Sequence, residues 1–120
     1  MKKLLRADLF PAGVLAALNL GLALAAIDGF GWFRDELYYI ACSDHLAFGY
    51  VDHPPLSILI LKLVRTVLGD SPLAIRILPA LGSAAFVLLA ALLARELGGK
   101  KRAMTLAAAS AFATANYFNL

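Results

Sequence analysis

The stretch LFPAGVLAALNLGLALAAI, residues 9–27, runs for nineteen residues without a single charge. As an α-helix it would extend about 28 Å at roughly 1.5 Å per residue, close to the thickness of a bilayer's hydrocarbon layer. Pro11 falls in the first turn of that run, where a missing N–H does no harm. Two more runs repeat the pattern: residues 77–94, held between Arg76 and Arg95, and residues 103–120, both free of charge. The pattern predicts an all-α, multi-pass membrane protein with spans at about 9–27, 77–94 and 103–120. The last run reaches the final residue without a polar flank, so the chain is expected to be the N-terminal portion of something longer.

Composition supports that class and excludes others. The chain of 120 residues is 62% hydrophobic and only 16% charged, with a mean hydropathy of +0.79. That leaves too little polar surface to coat a small soluble domain. The net charge of +3 comes from short basic groups beside apolar runs, not from a nucleic-acid patch, so no nucleic acid is expected as a partner. A single cysteine, Cys42, excludes a disulfide within the chain and is expected to pack as a small hydrophobe.

Lysine and arginine near the span ends set the orientation. Lys2, Lys3 and Arg6 precede the first span, and Arg95, Lys100, Lys101 and Arg102 separate the second from the third. Both segments should be cytoplasmic. Residues 28–76 then face the periplasm or the exterior, carrying six acids (Asp28, Asp35, Glu36, Asp44, Asp52, Asp70) against four bases (Arg34, Lys62, Arg65, Arg76). The expected location is the inner or plasma membrane. A competing reading takes the start Met-Lys-Lys-Leu-Leu-Arg and the small-x-small triplet Ala23-Leu24-Ala25 as a cleaved signal peptide. The remainder of the chain is again membrane-like and not a secreted domain, which argues against cleavage.

The outside loop is too long for a plain connector. Residues 56–68 are apolar but too short to cross and contain Lys62 and Arg65. With Thr66 and Gly69 these form one polar stripe, so a helix here should lie in the membrane interface with its apolar side down. Residues 35–48 read as a second interfacial helix. Asp35 and Glu36 complement its first turn, and Gly49 stands next as a stop. Asp35, Glu36, Tyr39 and Ser43 fall on one side of it, and Leu37, Ala41 and Phe48 on the other. The link Tyr50-Val51-Asp52-His53-Pro54-Pro55 should be extended, because each proline drives its predecessor out of the helical region.

The chemistry that this loop allows centres on its acids. Asp35 and Glu36 lie about 100° apart on a helix, so both cannot aim at one reacting atom. One can act as a general base while the other orients or caps. Asp52 and His53 carry an oxygen and an imidazole, both able to ligate a metal. His53, Arg34 and the basic stripe of Lys62 and Arg65 can meet a phosphate. No His-Glu-x-x-His and no paired-cysteine spacing supports zinc. His45, on a mixed face, is expected to be structural.

Taken in order, Arg34-Asp35-Glu36-Leu37-Tyr38-Tyr39, Gly49-Tyr50-Val51-Asp52-His53-Pro54-Pro55-Leu56 and Gly69-Asp70-Ser71-Pro72-Leu73-Ala74-Ile75-Arg76 after a first span resemble the start of a C-type glycosyltransferase. The branch is that of protein O-mannosyltransferases and lipid A aminoarabinose transferases, glycosyltransferase family 39. The resemblance implies a membrane enzyme that moves a sugar from a polyprenyl-phosphate carrier to a lipid, glycan or protein acceptor on the outer face. It implies a catalytic carboxylate at Asp35, with Glu36 beside it. In the aminoarabinose branch the second motif reads acid-Lys-Pro-Pro, the acid near a metal and the lysine near the carrier phosphate. Asp52 matches that acid, so a divalent metal there is implied, and His53 stands where the lysine would be. The 120-residue chain is expected to be inactive alone. The main alternative is a small non-enzymatic three-span subunit that binds a lipid carrier or a partner protein. A transporter fragment fits less well, since the acids sit in a loop and not within spans.

Overall fold

The computed structural model describes residues 2–27, 29 and 31–117, with side chains from Asp8 onward. Among them all regular structure is helical: α1 (Lys2–Ala25), α2 (Arg34–Asp44), α3 (Pro55–Leu68), α4 (Pro72–Glu96) and α5 (Lys101–Tyr117). The all-α expectation holds. Two helices, α1 and α4, are long and apolar enough to cross a membrane. The expected run 103–120 corresponds to α5, and its last three residues lie outside the described residues, as does Asp28 of the loop.

One local expectation fails. Pro11 lies inside α1 and not in its first turn, because the helix begins at Lys2, before the apolar run. Pro79 is likewise inside α4. Long apolar helices tolerate such prolines when neighbouring groups and small local adjustments satisfy the freed carbonyl.

The chain divides into two compact units, one of Met1–Leu24 with Pro79–Leu120 and one of Ala25–Leu78. The first has a core of small side chains: Ala12, Ala16, Val87, Ala91, Met104, Ala108 and Ala111, flanked by Leu9, Leu15, Ala90 and Phe112. Small residues let helix backbones approach closely, which is how helices associate where apolar burial gives no net drive. One polar chain crosses this core. Asn19, only 2% exposed, donates from Nδ2 to Ser83 Oγ at 2.8 Å, and its Oδ1 accepts from Asn116 Nδ2 at 2.8 Å. These bonds tie α1, α4 and α5 at one level. Asn19→Leu is expected to cost this unit about 1 kcal/mol, within the range for hydrogen bonds between helices in membranes. Reversible unfolding in mixed micelles measures it, and unchanged stability would mean that the three side chains are not coupled.

The second unit contains α2, α3 and the first turns of α4. Pro55 opens α3 from an extended Pro54, and Gly69 ends it at φ +76°, where a side chain would be strained. Ser71 Oγ then caps α4 by accepting the Ala74 amide at 3.1 Å.

Candidate active site

Helix α2 starts from an extended Phe33 whose amide donates to Glu36 Oε2 at 3.0 Å. Glu36 therefore caps its own helix. The same carboxylate is held from its other side by Arg76, whose Nε meets Oε1 at 2.6 Å and whose Nη2 meets Oε2 at 2.7 Å. This fork-to-carboxylate pair is geometrically specific, and each side chain is only 16% exposed. Arg76 also donates to the carbonyls of Ile27 and of Gly31, the latter at 2.8 Å, and its guanidinium lies 5.6 Å from the Phe33 ring centroid. One arginine thus gathers the chain between α1 and α2 and pins the start of α2. The Arg76 hydrogen bonds hold the Glu36 carboxyl below its ordinary value of 4.5, against the opposing effect of burial.

Asp35 is different. Its side chain is 74% exposed, and its ion pair, with the 97% exposed Arg34, is a loose 3.5 Å. Consecutive helix positions point about 100° apart, so fixing Glu36 inward turns Asp35 outward. The Arg76 clamp divides the two acids: both oxygens of Glu36 are engaged, and Asp35 is open to solvent.

The other end of α2 is tied to α3. Arg65 lies almost enclosed, donating to Ile40 O and to Ser43 Oγ, and pairing with Asp44 at 3.0 Å and Asp70 at 2.5 Å. Lys62 adds a contact to Asp44 at 3.2 Å. The basic stripe of α3 therefore faces α2. Leu56, Leu59, Ile60, Leu63 and Val67 are left exposed on α3, and Leu37 on α2.

This clamp also explains why α2 stops at Asp44 and not near Phe48. Asp44 is engaged by both bases, the His45 amide returns to Ala41 O and Cys42 O, and Tyr50 Oη accepts the Ala47 amide at 3.0 Å. That hydroxyl also lies 3.0 Å from the Cys42 and His45 carbonyls, to either of which it can donate. Phe48 and Val51 project fully outward. Cys42 is buried, as its apolar reading requires.

His53 lies among three tyrosines: edge-on to Tyr38 at 5.4 Å and to Tyr39 at 4.8 Å, and stacked on Tyr50 at 5.5 Å between ring centroids. Its Nε2 is covered and has no hydrogen-bond partner among the described residues. Partial desolvation, then the neighbouring Cys42 and Asp52, pushes the Tyr38 phenol above its usual range. Asp52 thus stands beside this aromatic group, but among the described residues no three of His, Cys, Asp and Glu gather around one point.

Sequence reasoning named Arg34, Asp35, Glu36, Asp52 and His53. It treated Arg65 as part of a solvent or headgroup stripe and Arg76 as a flanking charge, and it gave the tyrosines no role around His53.

Glu36, Asp44 and Asp70 all have carboxyl groups held below their ordinary values, each with an arginine hydrogen bond as the first cause. The folded unit therefore binds fewer protons than the unfolded chain near those values. Its ion-pair stability is complete above about pH 4.5, the highest of the ordinary values, and is lost as pH falls through the depressed ones. Protection factors for hydrogen exchange in α2, corrected for the intrinsic pH dependence of the rate, are expected to fall on acidification below that point, and flat protection would contradict the clamps.

The sequence profile of the dolichyl-phosphate-mannose-protein mannosyltransferase family matches residues 52–120, more than half of the chain. The chain belongs to this family. No curated protein and no solved structure matches it. At family level this is a glycosyltransferase-like membrane protein, and the apolar α1 and α4 fit that setting. The match opens on Asp52-His53-Pro54-Pro55 and takes in Arg65 and Arg76, while Asp35 and Glu36 lie ahead of it.

Proposed function

We propose that this protein acts in sugar transfer from a polyprenyl-phosphate carrier to an acceptor hydroxyl at the outer face of the membrane, with Asp35 as general base. The observation that carries the reading is the division of the acid pair. Glu36 is consumed by Arg76 and the Phe33 amide, whereas Asp35 is exposed at the start of a fixed helix.

In this reading Asp35 takes the proton of the acceptor hydroxyl. The acceptor oxygen attacks the anomeric carbon from the face opposite the carrier. The bond from that carbon to the carrier oxygen breaks, its electron pair leaves with the polyprenyl phosphate, and the anomeric centre inverts. A phosphate leaves without a strong acid if cations hold its charge. Arg34, exposed beside Asp35, suits that part. His53 meets the phosphate only if Tyr38, Tyr39 and Tyr50 part around it, so in the closed arrangement it packs the loop.

The exposed apolar faces of α2 and α3 support an interfacial position for both helices, which would set Asp35 at the headgroup level where a lipid-linked donor presents its sugar. Spans at α1, α4 and α5, with residues 28–76 outside, complete the proposed topology. The test is transfer from a polyprenyl-phosphate sugar by the Asp35→Asn variant, made in a full-length context and assayed in membranes. Activity close to that of the parent protein would remove Asp35 from the reaction.

A further inference from the structure

The turn between α4 and α5, residues 97–100, is built for close approach. Gly98 has φ +86°, a conformation that favours glycine. A Cβ on Gly99 would stand 2.6 Å from the Ala94 carbonyl oxygen and 2.9 Å from the Ala103 Cβ, so a side chain there would force the turn apart. The amides of Leu97, Gly98 and Gly99 close on the carbonyls of Leu93, Arg95 and Ala94 at 3.0, 2.8 and 2.8 Å. This tight reversal brings Arg95 beside Lys100 and Lys101. Together with Asp8, Gly99 and Met104 they line an open cavity of about 430 Å³, room for roughly a dozen waters at ~30 Å³ each.

Three cations and one carboxylate share this wall. Arg95 reaches Glu96 only at 3.9 Å, and neither lysine has an ion-pair partner among the described residues. Lys101 and Arg102 open α5, whose first turn holds no acid, so these charges oppose the helix dipole as well as one another. A local conflict of this kind is expected where an anion offsets it. The proposed membrane topology says which kind of anion. Asp8 begins the membrane-length segment of α1, and Arg95 lies at the end of that of α4.

We infer that this cavity holds the headgroup of an anionic glycerophospholipid of the phosphatidylglycerol type, in the leaflet facing the chain's basic segments. The phosphodiester oxygens accept from Arg95, Lys100 and Lys101, the headgroup hydroxyls donate to Asp8, and Met104 meets the apolar part of the lipid. The inference rests on the membrane topology proposed above but not on Asp35.

The full chain in nanodiscs of phosphatidylcholine with a minor share of phosphatidylglycerol tests it, with retained lipid counted by native mass spectrometry. Phosphatidylglycerol is expected to be enriched. Lys100→Gln and Lys101→Gln should each lower the enrichment about fivefold, the effect of one basic side chain near an anionic surface. Arg102→Gln removes the same charge outside the cavity and should change it far less. Equal losses for Arg102→Gln and Lys100→Gln would mean diffuse attraction and overturn the site. Equal retention of the two lipids would also overturn it, as would full displacement by inorganic phosphate at constant ionic strength. Asp35→Asn should leave enrichment unchanged. Enrichment in the parent protein together with undiminished transfer by Asp35→Asn would count against the catalytic reading alone, and transfer lost in Asp35→Asn without enrichment in the parent against the lipid site alone.

Discussion

Asp35→Asn is expected to slow sugar transfer by about a hundred- to ten-thousand-fold, the usual contribution of a positioned general base. The asparagine is nearly the same shape, and the exposed side chain it replaces holds only a loose contact to Arg34, so folding should be untouched. The loss should fall on kcat, with donor KM little changed, because the proton is taken only as the transition state forms. A variant equally slowed but with α2 newly open to hydrogen exchange would make Asp35 structural instead. Glu36→Gln provides the contrast. Its amide oxygen can still cap Phe33, but Arg76 loses its charged partner, so the expected loss appears first in stability.

Arg76→Ala is expected to have the largest effect on stability, about 3 kcal/mol in the unit Ala25–Leu78, the lower end of the range for breaking a buried ion pair. The change strands the Glu36 carboxylate with one remaining hydrogen bond, and it removes the donors to Ile27 O and Gly31 O. Arg76→Lys keeps the charge but not the fork, and should recover only part of the loss. Hydrogen exchange across residues 34–40 reads this directly. If both variants keep the protection of the parent protein, the start of α2 is held by something other than this clamp. In a double-mutant cycle, Arg76→Met with Glu36→Gln should cost clearly less than the two single changes together, since neither partner is left charged and alone.

The helices and the chemical character of the loop were legible in residue order because they depend on near neighbours. Runs without charge mark α1 and α4, Pro55 and Gly69 bound α3, and adjacent acids mark the start of α2. The end of α2 was not legible. Gly49 was a plausible stop, yet the helix ends at Asp44 because Lys62 and Arg65, far along the chain, claim that carboxylate, and the Tyr50 hydroxyl occupies the next turn. The stripe of α3 was read correctly as one face, but periodicity cannot say whether a basic face meets water, headgroups or another helix. Here it meets α2.

The same distinction separates the two carboxylates of Asp35-Glu36. Residue order by itself determined that they stand about 100° apart at a helix start, so that both could not point the same way. Which one turns outward was decided by Arg76, forty residues away from Glu36 along the chain. Helical phase is a local property set by backbone geometry and is written into the sequence. The choice of which phase turns inward belongs to the tertiary structure, because it depends on the free energy of a distant guanidinium finding its carboxylate.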